Sequence, residues 1–477
     1  MNAASELRSS CDLLLRGGSV VTMGRERPVI DSGAIAVVGN RIVDVGSAEE
    51  LSRYEAVRTI DTTGRVVTPG RSDCHTHLFQ TLGKGLAEGN AMWPWLTGFM
   101  FPYATEITPD DAEVAVLLGS IQAARAGTTS VCDNHYAPGD HTTVMRVAQA
   151  IESVGLRGAV ARGIFGEMND IGRVLNLPEG PFQRSAEEEL EITEGCLEAR
   201  PKGSRVEIWP APENPTYLHQ ELFRDSVELA RRFGVSWHTH ASEASVDPDL
   251  YVEHFGIRPM TWLHREGLLG EDATLAHCIW LDEAEIDAVG GTRSRVSHNP
   301  VSNQYIACGT MPVRELLEAG AVVGLGTDGS AVMGRDLLEV TKQVMLLHRS
   351  TNQDPELVPV ETVLGMLHCH GAEYMRHDAG RLEPGRLADM TVVRLDRAHV
   401  APVNRVITAL AYFAQAADVE MTIVDGVVIY EDGRCTLVDE DAVVAEASER
   451  AKHLLERGGM AGLREPWNRS RATPSPV

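Results

Sequence analysis

No apolar run in the 477-residue sequence approaches the roughly 20 residues that a helix needs to cross a bilayer, so a membrane-spanning protein is not expected. Positive charge is also short: 43 lysines and arginines stand against 68 aspartates and glutamates, a formal net charge of −25. Nucleic acids and anionic membranes bind through basic surfaces that displace counterions. Neither is an expected partner, and a small-molecule substrate is. Close cysteine pairs are missing too. Cys11, Cys74, Cys132, Cys196, Cys278, Cys308, Cys369 and Cys435 lie scattered, which excludes a zinc–thiolate site or redox dithiol on spacing and reads as reduced, mostly buried thiols. The first ten residues carry an acidic side chain and no apolar stretch before Leu13, so a secretory leader is not expected and a cytoplasmic location is.

What is present is an ordinary globular composition, 43% hydrophobic and 23% charged, in a chain too long for one core. Short apolar runs at 13–15, 20–23, 34–38 and 42–45 read as strands separated by turns. The same texture returns at 390–395 and 421–424, where Asp425-Gly426 joins the last run to 427–430 as a hairpin. Between these ends, apolar runs alternate with helical stretches, at 65–68, 129–132, 158–162, 206–210, 236–240, 274–277, 295–298 and 322–326. Eight such runs fit an α/β fold, a (β/α)8 TIM-like barrel, with a small β-sandwich formed by both chain ends. The expected division is 1–64 and 381–436 for the sandwich, 65–380 for the barrel, and 437–477 for a C-terminal helix, at 439–455, and a loose tail at 469–477. One barrel helix shows its own limits: Thr108 suits the N-cap, Pro109 the first turn, Asp110 and Asp111 the positive dipole end, and Gly127 the left-handed stop.

Chemistry enters at the strand ends. In Asp73-Cys74-His75-Thr76-His77 the two histidines alternate along extended chain and so project to one side. His240 ends the fifth run, His277 the sixth, and Asp328 follows the eighth. A barrel brings these to one rim, where neutral imidazoles and a carboxylate form a donor set suited to zinc, with ferrous iron as the alternative. His238, His298, His368 and His370 are expected to pack rather than ligate.

Six segments together resemble the amidohydrolase superfamily, in the branch of atrazine chlorohydrolase, 8-oxoguanine deaminase and methylthioadenosine/adenosylhomocysteine deaminase. They are TPG at 68–70, HTHLFQ at 75–80, HTHASE at 238–243, LAHC at 275–278, SHNPVSN at 297–303 and GLGTDGS at 324–330. By position, the resemblance implies that His75 and His77 are the first metal-ligand pair, His240 the third ligand and Asp328 the carboxylate beside the ion. Glu243 and His277 match residues that touch substrate. It further implies a homo-oligomer.

Water is too weak an acid to attack an aromatic carbon unaided, and a bound metal brings its pKa to roughly 7. Asp328 is then expected to take the proton, Glu243 to protonate the ring nitrogen, and His277 to orient the hydroxide or stabilise charge on oxygen. Binuclear members of the superfamily use a lysine on the fourth strand; 206–212 contains none, so one ion per chain is expected, with a bridge through Glu207 left open. Nucleoside-directed relatives carry a glutamate before a Trp-Leu pair to read the ribose, whereas here Pro94 precedes Trp95-Leu96. A free heterocycle of purine, pterin or triazine type is therefore expected, with Gln80 and either Trp93 or Trp95 contacting it. A Ser-Asn pair found in relatives soon after the metal aspartate is also replaced, by Ser330 to Asp336. The leading reading is a hydrolytic deaminase. The alternatives are release of chloride or alkylamine from a triazine and, from another class, a non-catalytic scaffold, although every expected ligand is present.

Overall fold

The computed structural model describes residues 9–201 and 203–464. The tail read at 469–477 lies outside them. Parallel strands carry the middle of the chain: β1 (Arg71–His77), β2 (Thr128–His135), β3 (Arg157–Ile164), β4 (Val206–Pro212), β5 (Trp237–Ala241), β6 (Ala273–His277), β7 (Arg295–His298) and β8 (Val322–Leu325). They form two arcs, β1 to β4 and β5 to β8, and every pairing within an arc is parallel. The arcs touch at two places. Asp328–Gly329, just past β8, pairs with Thr76 and His77 of β1. Just past β4, the Glu213 carbonyl accepts a 3.0 Å bond from the His240 N–H of β5.

Helices cover the outer faces, so β2 and β3 are buried at every position, as parallel strands covered on both sides must be. Between the arcs, small side chains (Cys74, Cys132, Ala159, Ala161, Ala211) surround the large Trp209 and Tyr374. No helix among the described residues is long and apolar enough to cross a membrane.

Arg65–Pro69, expected as the first strand of the barrel, lies elsewhere. It sits between Met390–Arg394, antiparallel, and Ser19–Val21, parallel, in a seven-stranded sheet built from both chain ends. The strand that begins the parallel series is β1, whose seven residues are all buried and mostly polar. Hydrophobic patterning points to Val66-Val67 and passes over β1, whose polar side chains are buried and make polar contacts inside the fold: Arg71 donates to the Ala126 carbonyl at 2.6 Å and Asp73 accepts from the Thr327 N–H at 2.9 Å.

The seven-stranded sheet faces a second sheet of four strands, ordered Arg41–Ser47, Gly33–Val38, Ser9–Arg16, Tyr54–Asp61. Leu13, Leu15, Ile35, Val37, Val67, Met390, Val392 and Ile423 fill the space between them, so residues far apart in sequence share one core. The Val424–Val427 hairpin forms, with Asp425 at φ 53° and Gly426 at φ 74°, the two positive values that a tight hairpin of this kind requires.

The helix read from Thr108 spans Pro109–Arg125. The Thr108 hydroxyl accepts from the Asp111 N–H and the Asp111 carboxylate accepts from the Thr108 N–H, a reciprocal cap. Gly127 follows at φ 82°. The last helix, Glu440–Arg457, packs along it, burying Ala447, Leu454 and Leu455 near Val114 and Ala115.

Candidate active site

Four strand ends turn into one cavity. His75 and His77 come from β1, His240 from β5, His277 from the end of β6, and Asp328 from just beyond β8. Ser242 (φ 44°), His277 (φ 74°), Cys278 (φ 50°) and Asp328 (φ 59°) all take left-handed backbone conformations that cost non-glycine residues energy. They turn the chain at the ends of β5 and β6 and just past β8.

Distances define the cluster. Asp328 Oδ1 lies 3.3 Å from Nε2 of both His75 and His77, and His240 Nε2 lies 3.4 Å from His77 Nε2. His277 Nε2 stands 3.7 Å from Asp328 Oδ2 and 3.6 Å from Glu243 Oε2. Donor atoms of His75, His77 and His240, and those of His75, His277 and Asp328, lie within 4.8 Å of one another.

Each ring is oriented through its other nitrogen. His77 Nδ1 donates to the Asn134 carbonyl at 2.9 Å, His240 Nδ1 to the Glu213 carbonyl at 3.1 Å, and His277 Nδ1 to Asn303 Oδ1 at 2.9 Å. His75 is held by a relay. Thr274 donates its hydroxyl proton to the Trp237 carbonyl at 2.6 Å and accepts from His238 Nδ1 at 3.0 Å, which leaves His238 Nε2 to accept from His75 Nδ1 at 2.9 Å. All four ligand-type rings thereby turn Nε2 lone pairs toward one point.

Imidazole nitrogens and a carboxylate gathered this closely form a donor set for a cation. Nε2 of His75 and of His277 are buried without a hydrogen-bond partner. Burial holds His75 well below the usual imidazole range and pushes His277 down to about 4. Burial also opposes charge on His240, yet the carboxylates of Glu213, Glu243 and Asp328 outweigh it and push His240 up to about 9. For Asp328, burial is outweighed by the close His75 and His77 rings, which hold it well below the carboxylate range. Burial dominates at Glu243, aided by Asp328 and Asp247 and opposed by His240, and pushes its carboxyl up to about 8. The two carboxyls are thus pushed in opposite directions, the kind of separation that acid–base chemistry uses. Three imidazoles and one carboxylate fit a single divalent ion of zinc type.

Beside the cluster, a cavity is lined by Gln80, Met92, Trp95, Leu96, Tyr136, Tyr217, Asn214, Ser302, Ile306 and Val332. Gln80 and Trp95, singled out from the sequence, both face it. Trp93 does not line it and meets the Tyr217 ring edge-on at 6.3 Å. Glu207 is exposed and accepts from Trp209 Nε1 at 2.8 Å, away from the cluster, which closes the bridging role left open for it. His298 pairs with His348 at 2.9 Å, and His368 and His370 donate to the Gly70 and Val323 carbonyls, so all three pack as expected.

Several contributors were not read from the sequence. Glu213 sets a carboxylate oxygen 3.3 Å from His240 Nδ1. Its signal was its place immediately after β4, obscured because Pro210 and Pro212 end the apolar run early. Arg335, 3% exposed, donates from both terminal nitrogens to the Asp328 carbonyl at 3.2 Å and also to Thr76 Oγ1.

Residues 66–429 match the amidohydrolase family, and the chain belongs to it. Among curated relatives, the 5-methylthioadenosine/S-adenosylhomocysteine deaminase of Pelotomaculum thermopropionicum is 32% identical over 94% of this chain and 99% of its own length. Among solved structures, an adenosine deaminase from Xanthomonas campestris with bound zinc superposes with a TM-score of 0.86 at 24% identity, covering 94% of this chain and 99% of that one. The atrazine chlorohydrolase of Arthrobacter aurescens TC1, complexed with zinc, does so with 0.83 at 25% identity, covering 92% and 100%.

Proposed function

We propose that this protein is a hydrolytic deaminase that releases ammonia from an amino-substituted N-heterocycle, with one zinc ion held by His75, His77, His240 and Asp328. The observation that carries the reading is the convergence of those side chains, with Asp328 and Glu243 both lining the cavity beside them. The two arcs are read as one closed (β/α)8 barrel, the architecture that gathers strand ends at one face.

Zinc would supply Lewis acidity that brings the ionisation of water down to roughly neutral pH. Asp328 accepts the proton that the attacking water loses. Glu243 donates a proton to the ring nitrogen next to the attacked carbon, so that the electron pair displaced from the C=N bond has a place to go. His277, with Nδ1–H committed to Asn303, presents Nε2 as an acceptor that orients the remaining O–H. Collapse of the tetrahedral carbon returns the O–H proton to Glu243 while Asp328 delivers its proton to the amine, which leaves as ammonia. The product is the lactam, and both carboxyl groups regain their starting states.

The substrate is read as a free heterocycle. Pro94 stands where a ribose-reading glutamate would, and the wall beside it is apolar, from Met92, Trp95 and Leu96. The similarity to atrazine chlorohydrolase supports a second reading, in which the same site expels chloride or an alkylamine from a triazine. Metal analysis of the purified protein, followed by ammonia and chloride assays across aminopurines, pterins, adenine nucleosides and triazines, tests both. Stoichiometric zinc with ammonia release is expected; a metal-free protein inactive on every amine would overturn the reading.

A further inference from the structure

A second cavity, of about 530 Å³, opens at the other ends of the strands, far along β7 from His298. It is lined by Arg293 and Arg295 at the start of β7, by Glu271 and Asp272 before β6, and by Glu373, Arg376, Arg381 and Arg386 from the segment that follows the barrel helices. Guanidinium groups gathered in one hollow are unexpected in a chain whose net charge is −25.

The carboxylates there are already engaged. Glu271 and Glu373 pair with Arg293 at 3.3 and 2.5 Å, Asp272 with Arg231 at 2.7 Å, and Arg386 takes Asp378 at 2.6 Å. Three cations are left over. Among the described residues Arg295, 3% exposed, donates only to neutral groups: the Tyr374 carbonyl at 2.6 Å, the Glu373 carbonyl at 3.4 Å, Ser236 Oγ at 2.9 Å and the Glu271 carbonyl, while its Nε is buried without a partner. Arg376 donates to the Gly234 carbonyl at 3.2 Å and pairs with no carboxylate among the described residues. Arg381 has neither an ion pair nor a side-chain hydrogen bond among the described residues. Burying a guanidinium without a directly paired counter-charge is costly, and burial, aided by the nearby Arg376, pushes Arg295 down to about 10.

We propose that this cavity is a binding site for a small phosphate-type dianion or trianion, neutralised by Arg295, Arg376 and Arg381. Planar guanidinium forks match tetrahedral oxyanions in geometry as well as charge, and a hollow of this size admits either free phosphate or the phosphate of a small ester. The site is separate from the imidazole cluster and does not depend on the deaminase reading.

Titration calorimetry with pyrophosphate, orthophosphate and a nucleoside monophosphate, at constant ionic strength set with chloride, tests it on the full-length protein. Saturable binding of pyrophosphate is expected, weakened about tenfold or more in Arg376→Ala and Arg381→Ala, each of which removes charge-assisted bonds. Arg173→Ala, at an exposed arginine paired with Asp170, is expected to leave it unchanged. A monophosphate ester that binds more tightly than orthophosphate identifies a phosphorylated small molecule as the occupant; the reverse order identifies the free anion. The proposal is overturned if the native protein does not bind pyrophosphate, or if both variants bind it as the native protein does. Circular dichroism spectra of the variants matching the native one show that lost binding is not lost folding.

Discussion

At the scale of single residues, the informative contrast lies between groups that touch the reacting atoms and groups that hold those in place. Glu243→Gln keeps the shape of the side chain and removes its transferable proton. It is expected to retain bound metal and to lose about 100-fold or more in turnover, read by metal analysis alongside steady-state kinetics. His240→Ala removes a ligand and is expected to lose both. His238 touches neither ion nor substrate; it accepts from His75 Nδ1 at 2.9 Å and so keeps the His75 Nε2 lone pair turned to the cluster. His238→Phe fills the same space without the acceptor and is expected to weaken zinc affinity about 10-fold to 100-fold in a chelator competition. An unchanged affinity, with only the melting temperature lowered, would reduce His238 to a packing residue. The same residue marks a boundary of what could be read from the sequence. The His-x-His at 238–240 offers two rings on the same side of β5, and spacing does not separate their roles: His240 reaches the cluster at the strand end, whereas His238, two residues deeper, bonds Thr274 and His75.

At the scale of elements, the Pro109–Arg125 helix concentrates its anchoring at Asp111. This carboxylate caps Thr108 and also receives Arg457 at 2.6 Å and Arg450 at 3.3 Å from the Glu440–Arg457 helix, so one side chain joins two helices. Burial works against its charge, but the bonds to Thr108, Arg457 and Arg450 prevail and hold it below the usual carboxylate range. A depressed folded-state pKa contributes stability in full above the unfolded value, and that contribution is lost as pH falls through the folded one. Asp111→Asn is therefore expected to destabilise the protein by about 1–2 kcal/mol at neutral pH, with the difference shrinking toward about pH 3, measured by denaturant unfolding at both. Helices with such signals were legible, as were the Asp425-Gly426 hairpin and seven of the eight parallel strands. β1 was not, because its register is kept by buried polar contacts that leave no periodic apolar trace. Tyr54–Asp61 was missed for the opposite reason: it runs along the edge of its sheet with Glu55, Val57, Arg58 and Thr59 exposed, and nothing in its pattern demands burial.

At the scale of the whole molecule, the candidate metal site is also a structural junction. Its ligands come from β1, from β5 and from the chain just past β8, so they bridge both arcs near the two places where the arcs touch, Asp328 beside Thr76 and Glu213 beside His240. An ion bound there would couple segments that backbone pairing joins only weakly, since neither junction extends beyond a few bonds. A ligand that binds the folded chain alone stabilises it by RT ln(1 + [L]/Kd). Removing zinc with a chelator is accordingly expected to abolish turnover and to lower the unfolding temperature by roughly 3–8 °C, both restored by added zinc, with calorimetry as the measurement. Asp328→Asn should shrink that difference, because the carboxylate lost is the ligand that reaches across from β8 to β1. If metal-loaded and chelated protein unfold at the same temperature while metal analysis shows that the ion has been removed, the ion serves chemistry only, and the arcs are held together by the surrounding packing of helices on strands.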